Sequence, residues 1–157
     1  MNIFFIDPQS YNNLAIYDYN ILKYNDKFNI TFFGNSQYSY KPLKTSKFSP
    51  IFKYSNKIGK IIKLLSYSIS IFIIFIQILK KKPQLIHIEW IKTWEIDYTY
   101  LKILKLITKT KILYTAHNIL PHESGNKLFD KYHKLYHLVD HIITHTYSSK
   151  EELIFSL

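Results

Sequence analysis

The chain contains no cysteine and no arginine, and only three of its 157 residues are glycine. Without cysteine there are no disulfides and no thiolate chemistry, which is compatible with a reducing cytoplasm. Proteins that read nucleic acids or clamp phosphates rely on the planar guanidinium fork, and all 21 basic residues here are lysine. The formal charge of +10 is therefore weak grounds for a nucleic-acid partner, and none is expected. Glycine is confined to Gly34, Gly59 and Gly125, so neither G-x-G-x-x-G nor a P-loop can be built; dinucleotide oxidoreductases and P-loop kinases drop out. A G-x-S-x-G nucleophile elbow is also missing. The start "MNIFFIDPQ" offers an apolar run of only four residues, too short for a signal peptide, which points to the cytoplasm.

What is present is an alternation. Short β-branched or aromatic runs at Ile3 to Ile6, Phe28 to Phe33, Leu85 to Glu89, Ile112 to Thr115 and His141 to His145 read as strands. Between them, Asn12 to Tyr24, Ile58 to Lys80, Glu95 to Ile107 and Asn126 to Leu138 read as helices, with a last one beginning after Ser148. Strand and helix in turn predict an α/β domain, a parallel sheet covered on both faces. The length suits one domain over residues 1–157. Gly34 to Lys57, rich in Ser, Lys, Tyr and Pro, reads as a long loop or an irregular excursion. The heavy use of Ile, Lys, Asn and Tyr is what A/T-rich codons would give, which tempers the weight of lysine and tyrosine as functional signals.

"LLSYSISIFIIFIQIL", Leu64 to Leu79, is strongly apolar and bracketed by lysines. It falls short of the ~20 residues a bilayer-spanning helix needs, and Pro83 stops it just before a strand; it reads as a buried crossover helix. Lys57, Lys60, Lys63 and Lys80 to Lys82 suit anionic lipid headgroups, so peripheral contact with an anionic membrane surface is a further expectation.

In an open parallel sheet, ligands bind beyond the carboxyl ends of the strands. Those ends carry Asp7, Pro8 and Gln9; Gly34 and Asn35; Glu89 and Trp90; His117 and Asn118; and His145, Thr146 and Ser148. Loop starts are polar in any protein, but His117-Asn118 is followed at once by Pro121, His122 and Glu123 in a short, rigid loop. Asp7 stands alone after the first strand, without the acidic pair of a receiver-type phosphoacceptor domain. His133, His137, His141 and His145 recur every four residues, yet "HIITH" reads as a strand after a helix, which splits them between two elements; no metal site is expected. Trp90 and Trp94 can pack, or can offer a stacking surface to a sugar.

"ILYTAHNILPHES", followed by a helix and "LVDHIITHTYSSKEEL", resembles the amino-terminal half of GT-B glycosyltransferases of the GT4 type, as does "KKPQLIHIEW". The resemblance is densest from Lys82 to Leu153. It implies a Rossmann-like domain and retaining, metal-independent transfer of a sugar from a nucleotide-sugar, with no cofactor, to a glycan or lipid-linked saccharide of a surface polysaccharide. His117 matches the cleft histidine near the donor sugar, which makes it the expected catalytic residue, holding a donor hydroxyl or helping to stabilise developing positive charge. Asn118 and Glu123 would fix the loop or the acceptor, and Thr146 to Ser149 would offer hydroxyls and helix amides. "DPQSYNNLAIYD" stands where the family has a glycine-rich loop. The family's donor-binding domain is not among these residues, so the expectation is an acceptor-side half that works with a separate donor-binding domain or subunit. The alternative is a non-catalytic module that binds a sugar or lipid carrier as a scaffold at the membrane.

Overall fold

A computed structural model describes residues 1–41, 43–53, 59–117 and 126–156. It is an α/β fold built on six parallel strands: β1 (Asn2–Ile6), β2 (Asn29–Asn35), β3 (Ser46–Phe52), β4 (Leu85–Ile88), β5 (Lys111–Ala116) and β6 (His141–Thr144). The sheet order is β3-β2-β1-β4-β5-β6, the Rossmann-like doubly wound order. Among the described residues, five helices connect or follow the strands: α1 (Leu14–Tyr24), α2 (Lys60–Lys81), α3 (Trp94–Ile107), α4 (Asn126–Leu138) and α5 (Tyr147–Ser156).

The strand sequences explain their central position. In β1, Phe4 and Ile6 enter one core while Ile3 and Phe5 enter the other, so a run with no polar alternation is buried on both faces. The larger core takes Tyr67, Ile74 and Ile78 from α2, Leu101 and Leu104 from α3, and Leu135, Tyr136 and Leu153 from α4 and α5. The smaller core lies against α1 through Leu22. Beside α1, Phe5, Tyr17, His87, Leu113 and Ile143 line an open concavity of about 380 Å³.

Two expectations need correction. The stretch from Gly34 to Lys57 is not one long loop, because β3 adds a sixth strand that pairs Phe48 with Phe32 and Pro50 with Gly34. Only its last residue, Phe52, is buried, and an edge strand tolerates Pro50 because one side of its backbone faces no partner. Gly34 is required by this pairing: a Cβ there would stand 2.7 Å from Ser10 Oγ and 2.8 Å from the Phe32 and Phe48 rings.

The second correction concerns α2. It is the crossover helix between β3 and β4, but only Tyr67, Ser70, Ile74 and Ile78 are buried; the opposite face is apolar and bare. By length and composition it is the one helix among the described residues long and apolar enough to cross a membrane. It is held to the domain by polar contacts. Ser70 Oγ donates to the Ile51 carbonyl at 2.9 Å and Tyr67 donates to Asp97 Oδ1 at 2.6 Å. The helix ends on Lys82, left-handed at φ 46°, and Pro83 follows.

Candidate functional site

The strand order places its topological switch between β1 and β4, where the chain returns from the β3 edge to the middle of the sheet. Side chains from the carboxyl ends of β1, β4, β5 and β6 converge there, as such sheets favour. At the centre is Glu89, fully buried one residue beyond β4, with its amide donating to the Ile6 carbonyl at 3.1 Å.

A buried carboxylate persists only if its oxygens are satisfied. Here Thr115 Oγ1 donates to Oε1 at 3.0 Å, His87 Nε2 lies 2.9 Å from the same oxygen, and His117 Nε2 lies 2.9 Å from Oε2. Burial by itself would raise this carboxyl, but the hydrogen bonds from His117 and His87 override it and pull the group down to about 2. Glu89 is thus an anion at any physiological pH.

From Glu89 a chain of hydrogen bonds runs outward. His117 Nε2 faces the carboxylate, and His117 Nδ1 lies 2.8 Å from His145 Nε2. A carboxylate can only accept, so His117 must carry its proton on Nε2. With both rings neutral, His117 Nδ1 is then an acceptor, His145 Nε2 a donor, and His145 Nδ1 the free acceptor. No hydrogen bond engages that last atom among the described residues, and His145 is exposed. Although the residue is exposed, partial burial of its ring, and secondarily the neighbouring His117, lower the pKa of His145, which favours its neutral, accepting form.

Aromatic rings fix the geometry. Trp90 lies flat on His117, with centroids 4.0 Å apart and planes at 3°. Tyr17, from α1, meets His117 and His145 edge-on at 5.7 and 5.5 Å. The Trp90 loop is in turn tied down by Asp97: its Oδ2 accepts from the amides of Lys92 and Thr93, both at 2.8 Å, and its Oδ1 accepts from Tyr67.

Below this relay lies a second acidic group. Asp7 follows β1 directly, with Oδ1 accepting from the Gln9 amide at 2.5 Å. Burial raises it to about 6. Asp18 on α1 is fully buried, and among the described residues neither of its oxygens accepts a hydrogen bond from an N–H or hydroxyl donor. Burial first, and the adjacent Asp7 second, push its carboxyl up to about 10, so it is held as the neutral acid.

The sequence-derived candidates therefore divide. Glu89, Trp90, His117 and His145 meet in one constellation. Asp7 lies beneath it, buried, and Gln9 is half-buried in the turn that Asp7 closes. Thr146 is occupied as the cap of α5, its Oγ1 accepting from the Ser149 amide at 3.0 Å. Ser148 is exposed on that helix, while Asn118 and Glu123 lie outside the described residues. His133 and His137 pair at 3.2 Å on α4, with His145 in the relay instead.

Four participants were not singled out from sequence: His87, Thr115, Tyr17 and Asp18. For two of them a signal existed. His87 precedes Glu89 by two residues and Thr115 precedes His117 by two, the same-face spacing of a strand. Tyr17 and Asp18 depend on how α1 docks, which no local pattern states. Among the described residues, no group of three or more side chains is arranged to hold a metal ion. No protein-family model matches the chain and no curated protein is detectably similar to it.

Proposed function

We propose that this domain forms the acceptor-side wall of a glycosyl-transfer site, in which the open nitrogen of His145 holds a sugar hydroxyl. The observation that carries the reading is the hydrogen-bonded relay from Glu89 through His117 to His145, ending on the carboxyl edge of a Rossmann-like sheet. A neutral acceptor of fixed tautomer suits a hydroxyl, which donates one proton and needs precise aim to react.

In this reading His145 is the residue that touches substrate and His117 is a positioning residue, locked between Glu89 and the Trp90 face. A proton taken up at the open end leaves His145 as an imidazolium, stabilised through His117 by the Glu89 anion. The relay can thus accept charge without a buried group losing its partner. Trp90, one face covered by His117, and Tyr17 supply the apolar wall against which a pyranose ring can rest. The donor is a nucleotide-sugar. The acceptor is a hydroxyl of a glycan or lipid-linked saccharide, and resemblance of the Lys82 to Leu153 segment to retaining transferases supports that class.

The test is transfer from labelled nucleotide-sugars to saccharide acceptors by the full-length protein and its variants. His117→Ala and His145→Ala are each expected to lower turnover by well over about tenfold with the fold intact, and the loss in His145→Ala should fall on kcat as well as KM. Near-normal turnover in both variants would overturn the reading. Retention of saccharide binding, with no transfer under any donor, would identify a binding module instead.

A further inference from the structure

From Lys27 to Ile88 the sequence contains eleven lysines and no aspartate or glutamate. The rest of the chain carries ten lysines against eleven acids, so this stretch at +11 accounts for the whole positive excess behind the net charge of +10. Its centre is α2, and that helix carries an unpartnered apolar stripe. Ile61, Ile62, Leu65, Ile69, Phe72 and Ile73 are 75%, 59%, 58%, 60%, 52% and 41% exposed. At 100° per residue these six fall within one sector of about 120°, centred opposite Tyr67, Ser70, Ile74 and Ile78, which face the sheet. Lys60 and Lys63 stand in the first turn and Lys80 and Lys81 in the last, with no acid in the first turn. Ile51 of β3 and Lys53, just beyond that strand, flank the stripe.

We propose that α2 is a membrane-docking helix that lies in the plane of an anionic phospholipid bilayer, its bare stripe among the acyl chains and its terminal lysines on the phosphates. The two ends of the helix are about 33 Å apart, and the Ser70 and Tyr67 hydrogen bonds keep its inner face on the protein. The helix is therefore set on the surface rather than through the bilayer, the arrangement of an interfacial amphipathic helix. Charge selects this occupant over a second copy of the chain. Two copies meeting stripe to stripe would bring two lysine-rich, acid-free rims together, whereas anionic headgroups neutralise them.

This inference does not depend on the chemistry at His145, and its test reads a different quantity. Flotation of the full chain with vesicles should give strong binding to phosphatidylcholine mixed with phosphatidylglycerol, weak binding to phosphatidylcholine alone, and release in about 1 M salt. Phe72→Trp should show a blue-shifted emission only with the anionic vesicles. Ile69→Asp, at an exposed site and expected to leave the circular dichroism spectrum unchanged, should weaken binding by at least about tenfold, as should joint replacement of Lys80, Lys81 and Lys82 by Gln. The proposal is overturned by equal binding to neutral vesicles, by no vesicle binding, or by a dimer in sedimentation that Ile69→Asp dissociates.

Discussion

Replacing Asp18 with asparagine isolates the most unusual buried group in the protein. In the unfolded chain an aspartate ionises near pH ~3.9; in the fold, burial and Asp7 hold Asp18 protonated up to about 10. Between these limits the folded state binds one more proton than the unfolded state. Its stability therefore falls as pH rises, by about 1.4 kcal/mol per pH unit from this group. From pH 6.5 to 8.5 the loss is about 2.7 kcal/mol. The asparagine side chain has the same shape and no proton to lose. Its buried amide shifts stability by a constant amount, which leaves the slope as the informative quantity. Urea unfolding followed by the fluorescence of Trp90 and Trp94 should show the stability of Asp18→Asn relative to wild type rising by about 1.4 kcal/mol per pH unit over this range. Histidine titrations are common to both proteins and cancel in the difference. Parallel pH curves would refute the reasoning, because Asp18 would then ionise alike in the folded and unfolded chains.

Other consequences follow from single contacts. Asp140 accepts from Lys105 Nζ, Lys111 Nζ and the Ile112 amide, each at 2.9 Å; although burial opposes it, these donors hold its carboxyl well below the usual range. Its stabilisation is present above the unfolded pKa and lost as pH falls towards the folded one. Asp140→Asn should thus lose about 1–2 kcal/mol at neutral pH in thermal unfolding, a figure kept small because both lysines are partly exposed, with the gap to wild type closing below pH ~4. Tyr67→Phe removes a donor from buried Asp97 and should destabilise by about 1–3 kcal/mol, read by urea midpoint. Gly34→Ala drives a methyl into Ser10 and two rings, and should destabilise by about 1–3 kcal/mol or open the β2–β3 edge to hydrogen exchange.

Much of this architecture is legible in sequence where burial is symmetric. The "NIFFI" and "KILYTA" runs announce buried parallel strands, and the rule that ligands gather at carboxyl ends names Glu89, Trp90, His117 and His145 within a longer set that also holds Gln9, Asn35, Thr146 and Ser148. The remainder is hidden for identifiable reasons. In β3, Ser, Lys and Pro50 have the composition of a loop, because a half-exposed edge strand needs little apolar surface. For α2, hydropathy reports how apolar a helix is but not which face is covered, so a helix bare on one side looks the same as a buried one. At the site, the sequence names His117 but cannot show that both of its nitrogens are engaged. That fact depends on Glu89 and His145 arriving from two other strands.

The most direct test of the central claim is the state of the histidine ring nitrogens, measured by ¹⁵N nuclear magnetic resonance near pH 8. His117 and His145 are predicted to be Nε2-protonated, with His145 Nδ1 showing the shift of an unengaged acceptor and moving when a saccharide is added. Glu89→Gln, whose amide can donate to the ring, should abolish the fixed tautomer of His117. A wild-type His117 protonated on Nδ1, or both rings exchanging freely between tautomers, would contradict the relay and the role assigned to His145.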